Sequence, residues 1–159
     1  MYRKTLSTVC SFLVLAFITQ TAFALNLADE ERRIFELVNQ ERIRQRLAPL
    51  VWDDSLSRIA RDYSRRMGRE GFFDHQDPEG KTAMDRAERA RLRGWSRIGE
   101  NLFFCDPVRG LPAFAVRGWM RSPTHRENML DRGWTATGIG ITEARDGSLY
   151  ITQLFTDTE

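Results

Sequence analysis

Ala136-Thr137-Gly138-Ile139-Gly140-Ile141-Thr142 and Leu149-Tyr150-Ile151-Thr152-Gln153-Leu154-Phe155 are two apolar, β-branched runs separated by a turn at Asp146-Gly147. An Asp-Gly turn between two such runs predicts an antiparallel hairpin. Everything upstream reads differently, because apolar residues there recur at helical spacing. Ile34, Phe35, Val38 and Ile43 make one stripe within 29–46, with Asp29 as a capping residue and Pro49 closing the segment. Leu56, Ile59, Ala60, Tyr63 and Met67 make a second, capped by Asp53 or Asp54 and ending at Gly68 and Gly71. Helices first and a hairpin last, without βαβ alternation, predict an α+β domain with helices packed on a small antiparallel sheet.

Between these ends the chain is more broken. Phe72–Gly80 is dense in turn formers and is expected to be an ordered loop. Thr82 opens a short helix that ends near Gly94, with Asp85 as capping partner, and Leu102–Phe104 is a short strand. Pro112 suits the first turn of a helix burying Ala115, Val116 and Trp119. After Ser122-Pro123, the run Thr124-His125-Arg126-Glu127 has the form of a capping box for one more helix.

The whole chain has 159 residues, 42% hydrophobic and 29% charged, with a formal charge of +2. Its excess charge sits in Arg3 and Lys4, ahead of the apolar run Val9–Ile18 and the small-residue site Ala22-Phe23-Ala24. That is the layout of a secretory signal peptide, expected to be cleaved after Ala24 to leave a single domain at 25–159. The remainder is formally neutral, with 22 acidic residues balanced by the remaining basic ones. Neutrality disfavours a nucleic-acid partner, which needs surplus positive charge. No apolar run approaches the roughly 20 residues of a membrane span. Of the two cysteines, Cys10 falls in the leader and Cys105 stands alone, so no internal disulfide is expected. Its neighbours Phe103, Phe104 and Asp106 favour a high thiol pKa and a structural role.

The chain holds two histidines, His75 in the Phe-rich turn and His125 at a helix start. Between them lies Gly99-Glu100-Asn101. Imidazoles suit metal binding and proton transfer near neutral pH, and a carboxylate can complete a metal site or orient a ring. Two readings stay open for His75, Glu100 and His125. One is a polar network fixing a loop against a helix cap. The other is a divalent metal site, best suited to zinc, with His₂ or His₂Glu ligands and open positions. Arg86, Arg89, Arg91, Arg93 and Arg97 form a basic run that reads as a solvated helix face. Trp52, Trp95, Trp119 and Trp134 read as packing residues, with Trp95 the nearest to an opening.

Several spaced motifs together resemble the bacterial pattern of the CAP superfamily, which covers cysteine-rich secretory proteins, antigen 5 and pathogenesis-related 1 proteins (SCP domains). They are Val38-Asn39-Gln40-Glu41-Arg42, Phe73-Asp74-His75, Gly99-Glu100-Asn101-Leu102, the run from Trp119 through Ser122-Pro123-Thr124-His125 to Leu130, and Gly138-Ile139-Gly140-Ile141. The resemblance implies an α-β-α sandwich with an open cleft where two histidines and two acids converge. His75, His125 and Glu100 match three of these. The fourth position falls at Arg86, eleven residues past His75, with Asp85 before it and Glu88 after it.

From this resemblance follows an exported protein, periplasmic or extracellular. Its cleft is expected to have a non-enzymatic binding role toward a lipid, sterol, small apolar molecule or other cell-envelope ligand. Two alternatives accompany that reading: a metal-assisted hydrolase using His75, His125 and Glu100, and a surface interaction domain whose cleft has no function.

Overall fold

A computed structural model describes residues 26–157. The expected signal peptide, 1–24, lies outside the described residues. Helices α1 (Leu27–Arg44), α2 (Asp54–Glu70), α3 (Ala83–Arg89), α4 (Leu111–Arg121) and α5 (Pro123–Leu130) alternate irregularly with β1 (Val51–Trp52), β2 (Ile98–Cys105), β3 (Ala136–Glu143) and β4 (Leu149–Thr156). The strands form one sheet in the order β1-β3-β4-β2. The expected hairpin is β3–β4, running from Ala136 opposite Thr156 to Glu143 opposite Leu149. Helices cover both faces, giving an α-β-α sandwich.

The sheet departs from a purely antiparallel one at its edge. Val51 and Trp52 pair in parallel with Ala136 and Thr137. Two residues are too few to carry an alternation signal, and Asn39 of α1 sets them in place by exchanging two hydrogen bonds with the backbone of Leu50. β2 also runs longer than its apolar centre, pairing with β4 from Ile98 to Cys105. Its first half carries the polar Glu100 and Asn101, which interrupt the apolar run.

Helix starts show a similar pattern of agreement and difference. Asp53 caps α2 as expected, accepting from the N–H groups of Ser55 and Leu56, and Gly71 closes it in the left-handed conformation. Thr82 and Asp85 form a full capping box on α3. Helix α1 begins earlier than expected, at Leu27, with Asn26 rather than Asp29 at the N-cap. The expected box at Thr124–Glu127 does not form. Pro123, pre-set for a first helical position, starts α5 two residues earlier and makes Ser122 the N-cap.

The two faces of β3 are built differently. Ile139 and Ile141 face a core shared with Ile34, Val38, Leu111, Trp119 and Met129 from α1, α4 and α5. On the other face Gly138 and Gly140 let the α2 backbone lie directly on the sheet. A Cβ on Gly138 would sit 2.3 Å from the Ser57 amide nitrogen, and one on Gly140 would sit 2.0 Å from that of Arg61. Both distances are far inside contact range, and the obstacle is helix backbone rather than a flexible side chain. Beside them Leu56, Ala60 and Leu154 close an apolar layer.

Beyond the short β1, the edge of β3 is completed by a side chain. The buried Glu31 accepts from the Ile141 amide at 3.0 Å and takes a forked ion pair from Arg61. This joins α1, α2 and β3 through one carboxylate. Replacing Gly140 with Ala is expected to cost about 2–3 kcal/mol, because overpacking against backbone cannot be relieved by a rotamer change. Urea denaturation of Gly140→Ala against the unsubstituted protein measures this as a fall in midpoint with an unchanged slope.

Candidate functional site

The loop that follows α2 is a built structure. Buried Asp77 accepts from the backbone N–H groups of Glu79 and Lys81 and pairs with Arg66 of α2. Arg66 also holds Glu70 and Glu79. One helical turn earlier, Tyr63 donates its hydroxyl to the Asp74 carbonyl at 2.5 Å. Burial pushes the Tyr63 phenol up to about 12, so it stays a donor. Two side chains of one helix face thus fix the loop on either side of His75.

Opposite the loop, β2 supplies Glu100. Its carboxylate is almost fully buried, and both oxygens are occupied: Oε1 accepts from His75 Nδ1 at 2.8 Å, and Oε2 accepts from Arg86 Nη2 at 2.5 Å. Arg86 is equally buried and donates through Nη1 to the carbonyls of Lys81 and His75, at 3.1 and 3.4 Å. Its guanidinium lies over the Tyr63 ring, 3.3 Å from the centroid. Its Nε has no partner.

His125 enters from the first turn of α5. Its Nδ1 shares a 2.8 Å hydrogen bond with Ser122 Oγ, which explains why that hydroxyl does not cap the helix. A chain of amides fixes this turn to β2. Asn101 donates to the His125 carbonyl, Asn128 donates to the Glu100 carbonyl and to Asn101 Oδ1, and Trp134 donates to Asn128 Oδ1. Gly99 makes room for this chain, since a Cβ there would lie 2.7 Å from both Asn128 Oδ1 and Trp134.

His75, Glu100 and His125, expected as a group from the sequence, therefore line one open groove of about 530 Å³, together with Ser122, Thr124 and Asn128. A second arm of about 520 Å³ continues past His75 and Glu100 between Ala83, Met84 and Ile98. One arm is polar and the other largely apolar. The two rings titrate apart. The hydrogen bond to Glu100 raises the His75 pKa against the opposing effect of burial, while burial and the facing His75 lower that of His125.

Both Nδ1 atoms are committed, which leaves the two Nε2 atoms as available donors for a metal ion. Two nitrogens fall short of the three or four protein ligands that a zinc site uses. Glu100 does not extend that set, because its oxygens are held by His75 and Arg86. It takes the part of an outer partner that orients a histidine. Among the described residues, no three of His, Cys, Asp and Glu are grouped to hold one ion.

Other expectations resolve around the site. Cys105 closes β2 about 17 Å along the strand from Glu100. Its thiol is pushed up by burial and by Asp106. The basic run is not one surface: Arg86 is buried, Arg97 pairs with Asp131 beneath Trp134, and Arg89, Arg91 and Arg93 are exposed. Trp95 packs beside Leu92 and donates to its carbonyl. Sequence reasoning passed over Asn101, Asn128, Asp77 and the role of Arg86. The two asparagines stand inside the quoted motifs, and their neighbourhood was the available signal.

Residues 35–155 match the CAP model, the cysteine-rich secretory protein family, and the chain belongs to that family. The Bacillus subtilis (strain 168) protein YkwD is 33% identical over 135 residues, covering 85% of this chain and 50% of YkwD. The chain thus spans half the length of that relative. An extracellular SCP-domain protein from Bacillus anthracis superposes with a TM-score of 0.71 at 30% identity, over 82% of this chain and 41% of that one. An outer surface protein from Borrelia burgdorferi superposes with a TM-score of 0.76 at 19% identity, over 85% of this chain and 97% of that one, a likeness of fold.

Two outcomes follow from the site. In an NMR titration His75 is expected to protonate above the ordinary histidine value of 6.5 and His125 below it. The stabilisation from the His75–Glu100 bond is then complete below that ordinary value and is lost as pH rises through the raised one. Asp77→Ala is expected to free the loop without unfolding the sandwich. Limited proteolysis should shift to cuts within 72–80 while the far-ultraviolet circular dichroism stays unchanged.

Proposed function

We propose that this protein is an exported binding domain whose groove takes an extracytoplasmic lipid or small apolar molecule and performs no chemistry on it. The observation that carries this reading is the engagement of Glu100, whose buried carboxylate bonds His75 through one oxygen and Arg86 through the other. A general base must reach the proton it takes, and this buried carboxylate is turned to His75 and Arg86 with its charge balanced by the guanidinium. The Cys105 thiol, raised by burial and lying at the far end of β2, supplies no activated nucleophile. The arm walled by Ala83, Met84 and Ile98 offers apolar contact beside polar groups that could orient a head group.

Export is supported by the leader-like opening and by the extracellular and outer-surface character of its structural relatives. No helix among the described residues is long and apolar enough to cross a membrane.

Metal-assisted hydrolysis through His75, His125 and Glu100 is the competing reading, favoured by two imidazoles with free Nε2 atoms on one groove. Protein purified without a histidine tag separates the two. Organic extraction followed by mass spectrometry is expected to recover an apolar ligand, and a Met84→Asp variant is expected to lose it. Stoichiometric zinc that disappears in the His75→Ala/His125→Ala double variant, with no extracted ligand, would overturn the binding reading in favour of the hydrolase. Neither ligand nor zinc would leave the surface as the functional part.

A further inference from the structure

We propose that Arg86 is the resident cation behind the cleft wall: its guanidinium supplies beside Glu100 the positive charge that a divalent ion would otherwise supply, and so keeps the histidine pair independent of metal. This rests on reading the groove as the functional site, but it concerns the site's charge rather than its ligand.

The geometry is specific. Glu100 and Arg86 are both 5% exposed at the side chain, so each removes a charge from water and needs the other. The guanidinium is fixed on three further sides, by the carbonyls of His75 and Lys81 and by the face of Tyr63. One of these carbonyls belongs to His75 itself, so the same group neutralises the acid and steadies the backbone that carries the ring. The buried Nε without a partner fits this account, because a guanidinium placed for its charge on Glu100 cannot satisfy every donor. With Oε1 on His75 and Oε2 on Arg86, Glu100 has its charge already balanced by the guanidinium. Any cation between the rings would also face the guanidinium's charge.

Replacing this charge should therefore create a metal site. Zinc is titrated by chelator competition into the untagged protein, Arg86→Glu, Arg86→Met and Arg86→Lys. Arg86→Glu is expected to bind zinc at least tenfold more tightly than the unsubstituted protein, with the gain abolished by adding His125→Ala. Arg86→Lys keeps the charge and should stay within about threefold of the unsubstituted protein, which a purely structural role for the arginine would not require. Arg86→Met removes the charge without adding a ligand and should also bind zinc more tightly than the unsubstituted protein.

The proposal is overturned if folded Arg86→Glu gains nothing, or if Arg86→Lys gains as much. Should Arg86→Glu fail to fold, Arg86→Met decides alone: no gain in zinc affinity ends the proposal, and a gain that Arg86→Lys does not share upholds it. None of these outcomes depends on whether an apolar ligand is recovered, so the two readings fail separately.

Discussion

Direct contact between the α2 backbone and β3 is the constraint on which the rest of the molecule depends. It exists because Gly138 and Gly140 present no side chain on that face, so the helix seats at a depth that any Cβ would forbid. At that depth Leu56, Ala60 and Leu154 meet, and Arg61 reaches the buried Glu31 that completes the edge of β3. The same seating aims Tyr63 and Arg66 at the loop after the helix. Through Asp74 and Asp77 they hold that loop, and with it His75, against the sheet. The groove is a consequence of how closely one helix can approach one strand.

Within the groove the governing interaction is the ion pair of Glu100 with Arg86. A buried carboxylate is unfavourable unless compensated, and here it is compensated twice, by a guanidinium and by an imidazole. That compensation makes the site a set of mutually satisfied groups and leaves the Nε2 atoms of two rings as its available chemistry. The split in their titration arises from the same source. His75 has a carboxylate partner, and His125 has a hydroxyl and a neighbouring imidazole.

Much of the fold was legible in the residues because it rests on local rules. The β3–β4 hairpin announced itself through its Asp-Gly turn, α2 through its stripe and Asp53 cap, and α3 through Thr82 and Asp85. Short or mixed signals were harder. The parallel β1 is two residues long, and its pairing depends on Asn39 and on a strand more than eighty positions away. The α5 start was misplaced because Ser122 and Thr124 offer equally good capping chemistry, and the choice was made by Pro123 and by His125 claiming the Ser122 hydroxyl.

By itself the sequence determined the element types, the motifs bearing His75, Glu100 and His125, and the family they match, since all of these follow from short-range pattern and residue chemistry. Only the tertiary structure decided which of those groups touch. Arg86 looks like one arginine in a basic run until α3 folds against β2 and buries it on Glu100. Asn101 and Asn128 look like ordinary polar residues until α5 docks and they close a hydrogen-bonded chain behind His125 and Glu100. Whether a charged or polar group is free, paired or spent depends on neighbours brought from distant parts of the chain. That is long-range information, and no local pattern encodes it.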